Sequence, residues 1–481
     1  MTGQIALLTW PLVAFVLFQK LSVQAAFIVT IIGGFLLLPT QVGWDFPLLP
    51  ALGKNSIPAL VAMLLVLMFA GNQMQSAKIQ KGILPRSPIM LACIALLVLG
   101  AFGTVLTNRN PLFFGPRVLS GMSIYDGFSI ALSSAIQLIP FLLARKLLHT
   151  SEQHALLLKA IVIAAFCYSF LALIEIRISP QLNNIVYGFF PHSFIQHIRG
   201  GGFRPLVFLS HGLVLGIFFS TAVIAAWGLY RHTKDNKWLY LGIWILGTLA
   251  ISKTLGAFAI TLLILALMIC VPKRLHMTVI ACISASILLY PMLKGAGLVP
   301  TERVVALASA IDPERAGSLN VRLRNEDMLL DRANQKPIFG WGSYGRNRIY
   351  NEWGRDVSIT DGGWVITIGG GGWVRYIGRF GLLTWAMIAL YARRKEDIDP
   401  ITITLGFALC ANMIDAIPNS GITPITMVMA GALAGRLENR SAETDAYKAI
   451  DGSAEDEDRE LLDPREKTGM RHSRFGIRKV R

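Results

Sequence analysis

The chain has 481 residues, of which 53% are hydrophobic and only 15% charged, with a mean hydropathy of +0.54. A water-soluble domain needs more surface charge than this, so lipid is the solvent for most of the chain. The net charge of +16 does not point to nucleic acid, because the basic residues lie between apolar runs and not among aromatics on one soluble face.

The N-terminal run MTGQIALLTWPLVAFVLF has no Lys or Arg ahead of its apolar stretch and no small-residue cleavage pattern, so it is expected to stay as a first anchor. Further candidate spans follow near 23–38, 57–70, 88–106, 128–143, 156–174, 207–229, 238–251, 255–271, 277–291, 380–391, 401–415 and 422–436. Together they predict an all-α, polytopic integral membrane helix bundle of about 12–13 transmembrane helices over residues 1–437. Cys93, Cys167, Cys270, Cys282 and Cys410 lie singly inside apolar runs and read as small core hydrophobes.

Alternate connectors differ in charge. One set holds Lys20, Lys78, Lys81, Arg86, Arg145, Lys146, Arg231, Lys234, Lys237, Lys273, Arg274 and Arg393 to Lys395, about twice the Lys and Arg of the other set. The positive-inside rule puts that set in the cytoplasm and the segments 108–125, 178–205 and 292–379 on the periplasmic side. Residues 438–481 have too few apolar side chains to bury a core and are expected to form a disordered cytoplasmic tail.

The connector 292–379 is far longer than the rest, and long ordered loops usually carry function. Ser318 to Asn334 sets Val321, Met328, Leu329 and Leu330 among Arg322, Arg324, Asp327 and Arg332, which predicts an amphipathic helix at the membrane surface. Arg315, Arg322, Arg324, Arg332, Lys336, Arg346, Arg348 and Arg355 crowd the same loop. Guanidinium groups hold phosphate oxygens through paired hydrogen bonds, so an anionic ligand is expected there, with pairing to the loop's own carboxylates or to lipid headgroups as the alternative. Pro337 to Gly345, PIFGWGSYG, sets glycines where backbone approaches another surface closely. The run Gly369–Gly372 should break a helix beside protein or a wet cavity.

A second polar island, HSFIQHIRGGGFRPLVFLSHG, places His192, His197, Arg199, Arg204 and His211 around three glycines. The histidine spacings match no short helical ligand pair, so a phosphate or sugar site is expected and no metal.

Arg199 and Arg204 flanking glycines ahead of a middle span, then Arg322, Arg324, Ala333, Pro337, Phe339, Gly340, Gly342 and Gly345 in one long loop, form an order that resembles the O-antigen ligase and polymerase superfamily. The resemblance runs from about Asn108 to Leu437. Many members carry a His-Asn pair after the loop, where this chain has Thr360-Asp361-Gly362-Gly363-Trp364. The resemblance implies transfer of a glycan from undecaprenyl diphosphate, a lipid-linked oligosaccharide, to an acceptor sugar at the inner membrane, with no cofactor and with polysaccharide assembly proteins as possible partners. Arg199, Arg204, Arg322, Arg324, Arg346, Gly340 and Gly342 would then bind diphosphate and glycan, and Asp361 or His211 would deprotonate the acceptor. A repeat-unit polymerase is the first expectation and a ligase to lipid A-core the second. A transporter or flippase of an anionic solute would carry more charges inside its spans.

Overall fold

The computed structural model describes residues 2–46, 50–73, 79–199, 201–311, 313–393 and 398–439. The chain divides into two compact units, Met1–Leu437 and Glu438–Arg481. The tail expected to be disordered thus lies, apart from its first two residues, outside those described.

Helix accounts for 71% and strand for 4%, which makes the protein all-α. In chain order the helices are α1 (Thr2–Lys20), α2 (Val23–Leu37), α3 (Ser56–Gln73), α4 (Pro88–Leu106), α5 (Ile124–Leu147), α6 (Ser151–Ile178), α7 (Leu182–Tyr187), α8 (Gly212–Thr233), α9 (Asn236–Ile251), α10 (Leu255–Cys270), α11 (His276–Gly295), α12 (Thr301–Ile311), α13 (Pro313–Asn334), α14 (Gly363–Tyr376), α15 (Leu382–Ala392), α16 (Pro400–Asp415) and α17, over 424–439. Among the described residues, three two-residue or three-residue antiparallel hairpins sit in the connectors: β1 (Gly43–Trp44) with β2 (Leu52–Gly53), β3 (Leu112–Phe114) with β4 (Arg117–Leu119), and β5 (Ile198–Arg199) with β6 (Gly202–Phe203).

Among the described residues, six helical segments are long and apolar enough to cross a membrane: Thr2–Lys20, Pro88–Leu106, Ile124–Leu147, Ser151–Ile178, Gly212–Thr233 and Lys273–Gly295. Four more, α2, the Ser56–Phe69 part of α3, α10 and α16, are apolar but shorter. The expected 12–13 crossings are therefore reached only if helices shorter than about 20 residues cross, where the bilayer is locally thinned. The span expected at 380–391 is the second half of a longer helical run that begins at Gly363 and passes through a π turn, Ile377–Gly381.

Local sequence starts these helices where it does. Ser123 and Asp126 form a capping box at α5, and Thr150 and Gln153 form another at α6. Pro400 stands at the first position of α16, whose cap Asp399 accepts from the Thr402 amide at 2.8 Å. Helix α8 is apolar all round and is the centre of the bundle, enclosed by α6, α9, α10 and α16. Cys93 and Cys410 are buried as expected, whereas Cys167, Cys270 and Cys282 lie exposed on outward apolar faces. An apolar run cannot by itself distinguish a side chain facing neighbouring helices from one facing lipid.

Hydrogen bonds sort the connectors into two ends. At one end Thr2 donates to the Val186 carbonyl, Gln41 to that of Pro191, Lys54 to that of Phe208 and Asn108 to that of Gly340. At the other, Lys146 donates to the Gln80 carbonyl, Gln80 to that of Gly435, and Ser151 to Asp399. For the connectors so joined, this division agrees with the alternation in charge.

The two glycine runs of the long connector interlock. The Trp341 and Gly342 amides donate to the Gly369 and Gly370 carbonyls, and the Trp373 and Val374 amides to those of Pro337 and Ile338, all within 3.2 Å. The break falls at Gly372, with φ +65° and ψ −167°. A Cβ on Gly372 would lie 2.2 Å from the Ile338 oxygen, and one on Gly340 (φ +65°) 2.6 Å from the Gly371 nitrogen. Backbone groups released by the break would each cost several kcal/mol in hydrocarbon, and the loop satisfies them.

Candidate active site

A cavity of about 570 Å³ opens at the end of the bundle that holds the long connector. It is lined by Arg199 of β5, His211 at the start of α8, Arg322 on α13, Asp361 before α14, and Asp415 and Asn419 at the end of α16. These residues come from two stretches, 199–211 and 322–419, more than a hundred positions apart, and specific contacts bring them together.

The hairpin β5–β6 is anchored by Lys253, which donates to the Arg199 carbonyl at 2.8 Å. Below it, the carboxylate of Glu175 is fully buried in α6 and accepts from the amides of Leu182, Leu206 and Val207 at 3.1, 2.8 and 2.8 Å. Tyr168 adds its hydroxyl as acceptor for the Phe208 amide. The segment entering α8 is held by this nest. On the opposite wall, the Gly363 amide donates to the carbonyls of Ala416 and Asn419, and Asn325 accepts from the Ile359 amide at 2.8 Å, which ties α13, the start of α14 and the turn after α16 together.

Arg322 stands at the centre. Its Nε meets Asp361 Oδ2 at 3.1 Å, and its Nη1 donates to Asn419 Oδ1 at 3.3 Å. Asn419 Nδ2 in turn donates to Asp415 Oδ1 at 2.8 Å. A guanidinium has five N–H donors, so three remain for a ligand in the cavity. Asp415 is 4% exposed, and its second oxygen faces the open turn at Gly421.

His211 closes the other side. Its Nδ1 accepts the Leu213 amide at 3.0 Å as the cap of α8. Burial, reinforced by the rings of His197 and His192 and the charges of Arg204 and Arg322, holds its pKa at about 3. A neutral ring whose Nδ1 lone pair is engaged carries its proton on Nε2, so His211 can donate a hydrogen bond to a ligand but has no free lone pair to act as a base. His197 is buried, donates from Nδ1 to the Ser193 carbonyl at 3.1 Å, and is pushed down to about 4 by burial. The rings of His192, His197 and His211 pack at centroid distances of 4.8–6.0 Å. Among the described residues no group of three or more His, Cys, Asp or Glu is arranged to hold a metal ion.

Of the residues named from sequence, Arg199, His211, Arg322 and Asp361 meet in this cavity. The others do not line it. Arg204 packs its stem beside Gly212 and donates to the Lys253 carbonyl at 3.2 Å. Arg324, two positions from Arg322, is exposed on the other face of α13, as a helical step of about 200° requires. Arg346 is 1% exposed and donates to the carbonyls of Trp341, Ser120 and Asn110, which ties the glycine loop to the β3–β4 connector. Gly340 and Gly342 are packing positions, set against the broken helix and Met122. Arg332 lies over the Trp341 ring at 3.4 Å, Lys336 donates to Thr107 and Asn108, and Arg348 pairs with Asp356. Much of the loop's positive charge therefore builds the loop, but through rings and carbonyl oxygens more than through the carboxylates expected, which among these residues only Arg348 meets.

Asp415 was missed. Its signal was a lone carboxylate at the end of an apolar span, the position at which an ionisable residue marks a wet cavity.

Comparison with known protein families, with characterised proteins and with solved structures finds no match to this chain.

Proposed function

We propose that the protein transfers a glycan from an undecaprenyl-diphosphate carrier to an acceptor sugar at the periplasmic face of a bacterial inner membrane, as the repeat-unit polymerase of an exopolysaccharide or O-antigen. The observation that carries this reading is the meeting of Arg199, Arg322, His211 and Asp415 in one cavity of about 570 Å³. Its volume suits a sugar and a diphosphate. Arg199 and Arg322 neutralise the diphosphate as it leaves, where charge develops in the transition state. His211 donates from Nε2 to a sugar oxygen, and Asp361 orients Arg322. Asp415 takes the proton of the acceptor hydroxyl, whose oxygen bonds to the anomeric carbon as the bond to the diphosphate breaks. The better-charged connectors lie at the opposite end of the bundle, which agrees with a periplasmic site under the positive-inside rule.

The test is complementation of a deletion strain with Arg322→Lys and Arg199→Lys. Lysine keeps the charge but loses the planar two-point contact. At wild-type protein levels both variants should shorten or abolish surface glycan chains; unchanged length and yield in both would overturn the proposal. In the deletion strain itself, lost long chains indicate a polymerase, and long chains accumulating on carrier lipid indicate a ligase.

A further inference from the structure

A second cavity of about 610 Å³ lies beside the first, lined among others by Gln41, Asp45, Lys54, Gln137, Arg379 and Thr423. The turn after α16 lines both: Ser420 and Gly421 face the first cavity, and Ile422, Thr423 and Pro424 the second.

Arg379 is the residue that asks for a ligand. It sits in the π turn Ile377–Gly381, in the middle of the helical run Gly363–Ala392. Such turns insert a residue and re-aim its side chain, and they recur at functional sites. Its Nη2 donates to Gln137 Oε1 at 3.3 Å, and no carboxylate among the described residues forms an ion pair with it. A guanidinium inside an apolar span is costly unless it faces water or an anion. Lys54, 7% exposed and fixed by donating to the Phe208 carbonyl at 2.7 Å, adds an amine whose pKa burial pushes down to about 7. Asp45 is the one carboxylate on the described lining. The remaining polar positions are amides and hydroxyls, the groups that meet sugar hydroxyls.

We propose that this cavity binds the phosphate-bearing head of a lipid, with Arg379 on the phosphate. Resting on the transfer reading above, that lipid is the second lipid-linked glycan, held so that its sugar reaches Asp415 past the Ser420–Thr423 turn.

The experiment uses the full chain in nanodiscs of phosphatidylcholine, titrated with farnesyl diphosphate and read by native mass spectrometry. Two molecules should bind per chain. Arg379→Gln should weaken one event at least tenfold and leave the other, and Arg322→Gln the reverse. Arg379→Lys, which keeps the charge, serves if the Gln variant does not accumulate, and should weaken the same event. A single event insensitive to both Arg379 variants overturns the proposal. Loss of an event in Arg379→Gln but none in Arg322→Gln keeps the second cavity and overturns the first as a diphosphate site. Displacement of the Arg379-dependent molecule by phosphatidylglycerol at equal concentration keeps the phosphate site and overturns the second substrate as its occupant.

Discussion

Replacing His211 by Asn separates a donor from a base. The Asn Oδ1 falls close to the position of the His Nδ1 and so still accepts the Leu213 amide, a contact of 3.0 Å in the native chain; Asn is among the best helix caps. What is lost is the Nε2–H, which lies about one bond length, ~1.3 Å, beyond the amide nitrogen of Asn. A neutral hydrogen bond to ligand is worth about 0.5–1.5 kcal/mol, so turnover should fall no more than about tenfold. A general base would cost about 10²–10⁴-fold. His211→Ala removes the cap as well and should cost roughly 0.5–2 kcal/mol of stability. Because the ring is held at about 3, the pH profile of the Asn variant between pH 5 and 8 should match wild type. The assay is release of undecaprenyl diphosphate by purified protein in nanodiscs, with thermal melting in parallel. A fall of a hundredfold or more in His211→Asn at unchanged melting temperature would refute the donor role.

Three other outcomes are expected. Gly372→Ala forces a Cβ to within 2.2 Å of the Ile338 oxygen at a positive φ, so the variant should accumulate poorly in membranes, whereas Gly247→Ala, with open space at its Cβ, should not; equal accumulation would contradict the interlocked glycine runs. Arg346→Met should leave the first cavity intact but free the loop from the Ser120 and Asn110 carbonyls, so limited trypsin digestion should cut near Arg348 and Arg355 faster, and an unchanged rate would contradict its anchoring role. Burial pushes the Glu326 carboxyl on α13 from 4.5 up to about 7, against the opposing pull of Lys294. The ionised form is therefore disfavoured in the folded chain: its cost is present above pH 7 and fades as pH falls toward 4.5. Wild type should gain melting temperature relative to Glu326→Gln between pH 8 and pH 5, and a constant difference would contradict the burial.

The spans were legible because an apolar run is a local property; α4 occupies the very residues, 88–106, that hydropathy marks. The amphipathic stretch at 318–334 lies in α13, and the glycine run at 369–372 does break a helix. What sequence could not show was which partner each polar group would find. Arg346 and Arg322 look alike along the chain, yet one is enclosed by three carbonyls and the other faces a cavity. Glycines expected near a ligand met another backbone, because close approach looks the same whatever approaches. Asp415 was hidden by the apolar run that ends on it, and it acquired meaning only when Asn419 linked it to Arg322.

The most direct measurement is turnover by the purified chain in nanodiscs supplied with undecaprenyl-diphosphate oligosaccharide, comparing wild type with Asp415→Asn. Wild type should release undecaprenyl diphosphate and form a longer glycan, while Asp415→Asn should bind the lipid with unchanged affinity and turn over about 10²–10⁴-fold more slowly. Movement of intact lipid-linked glycan across the bilayer by wild type, with no release of diphosphate and no new glycosidic bond, would contradict the transfer and identify a carrier in its place.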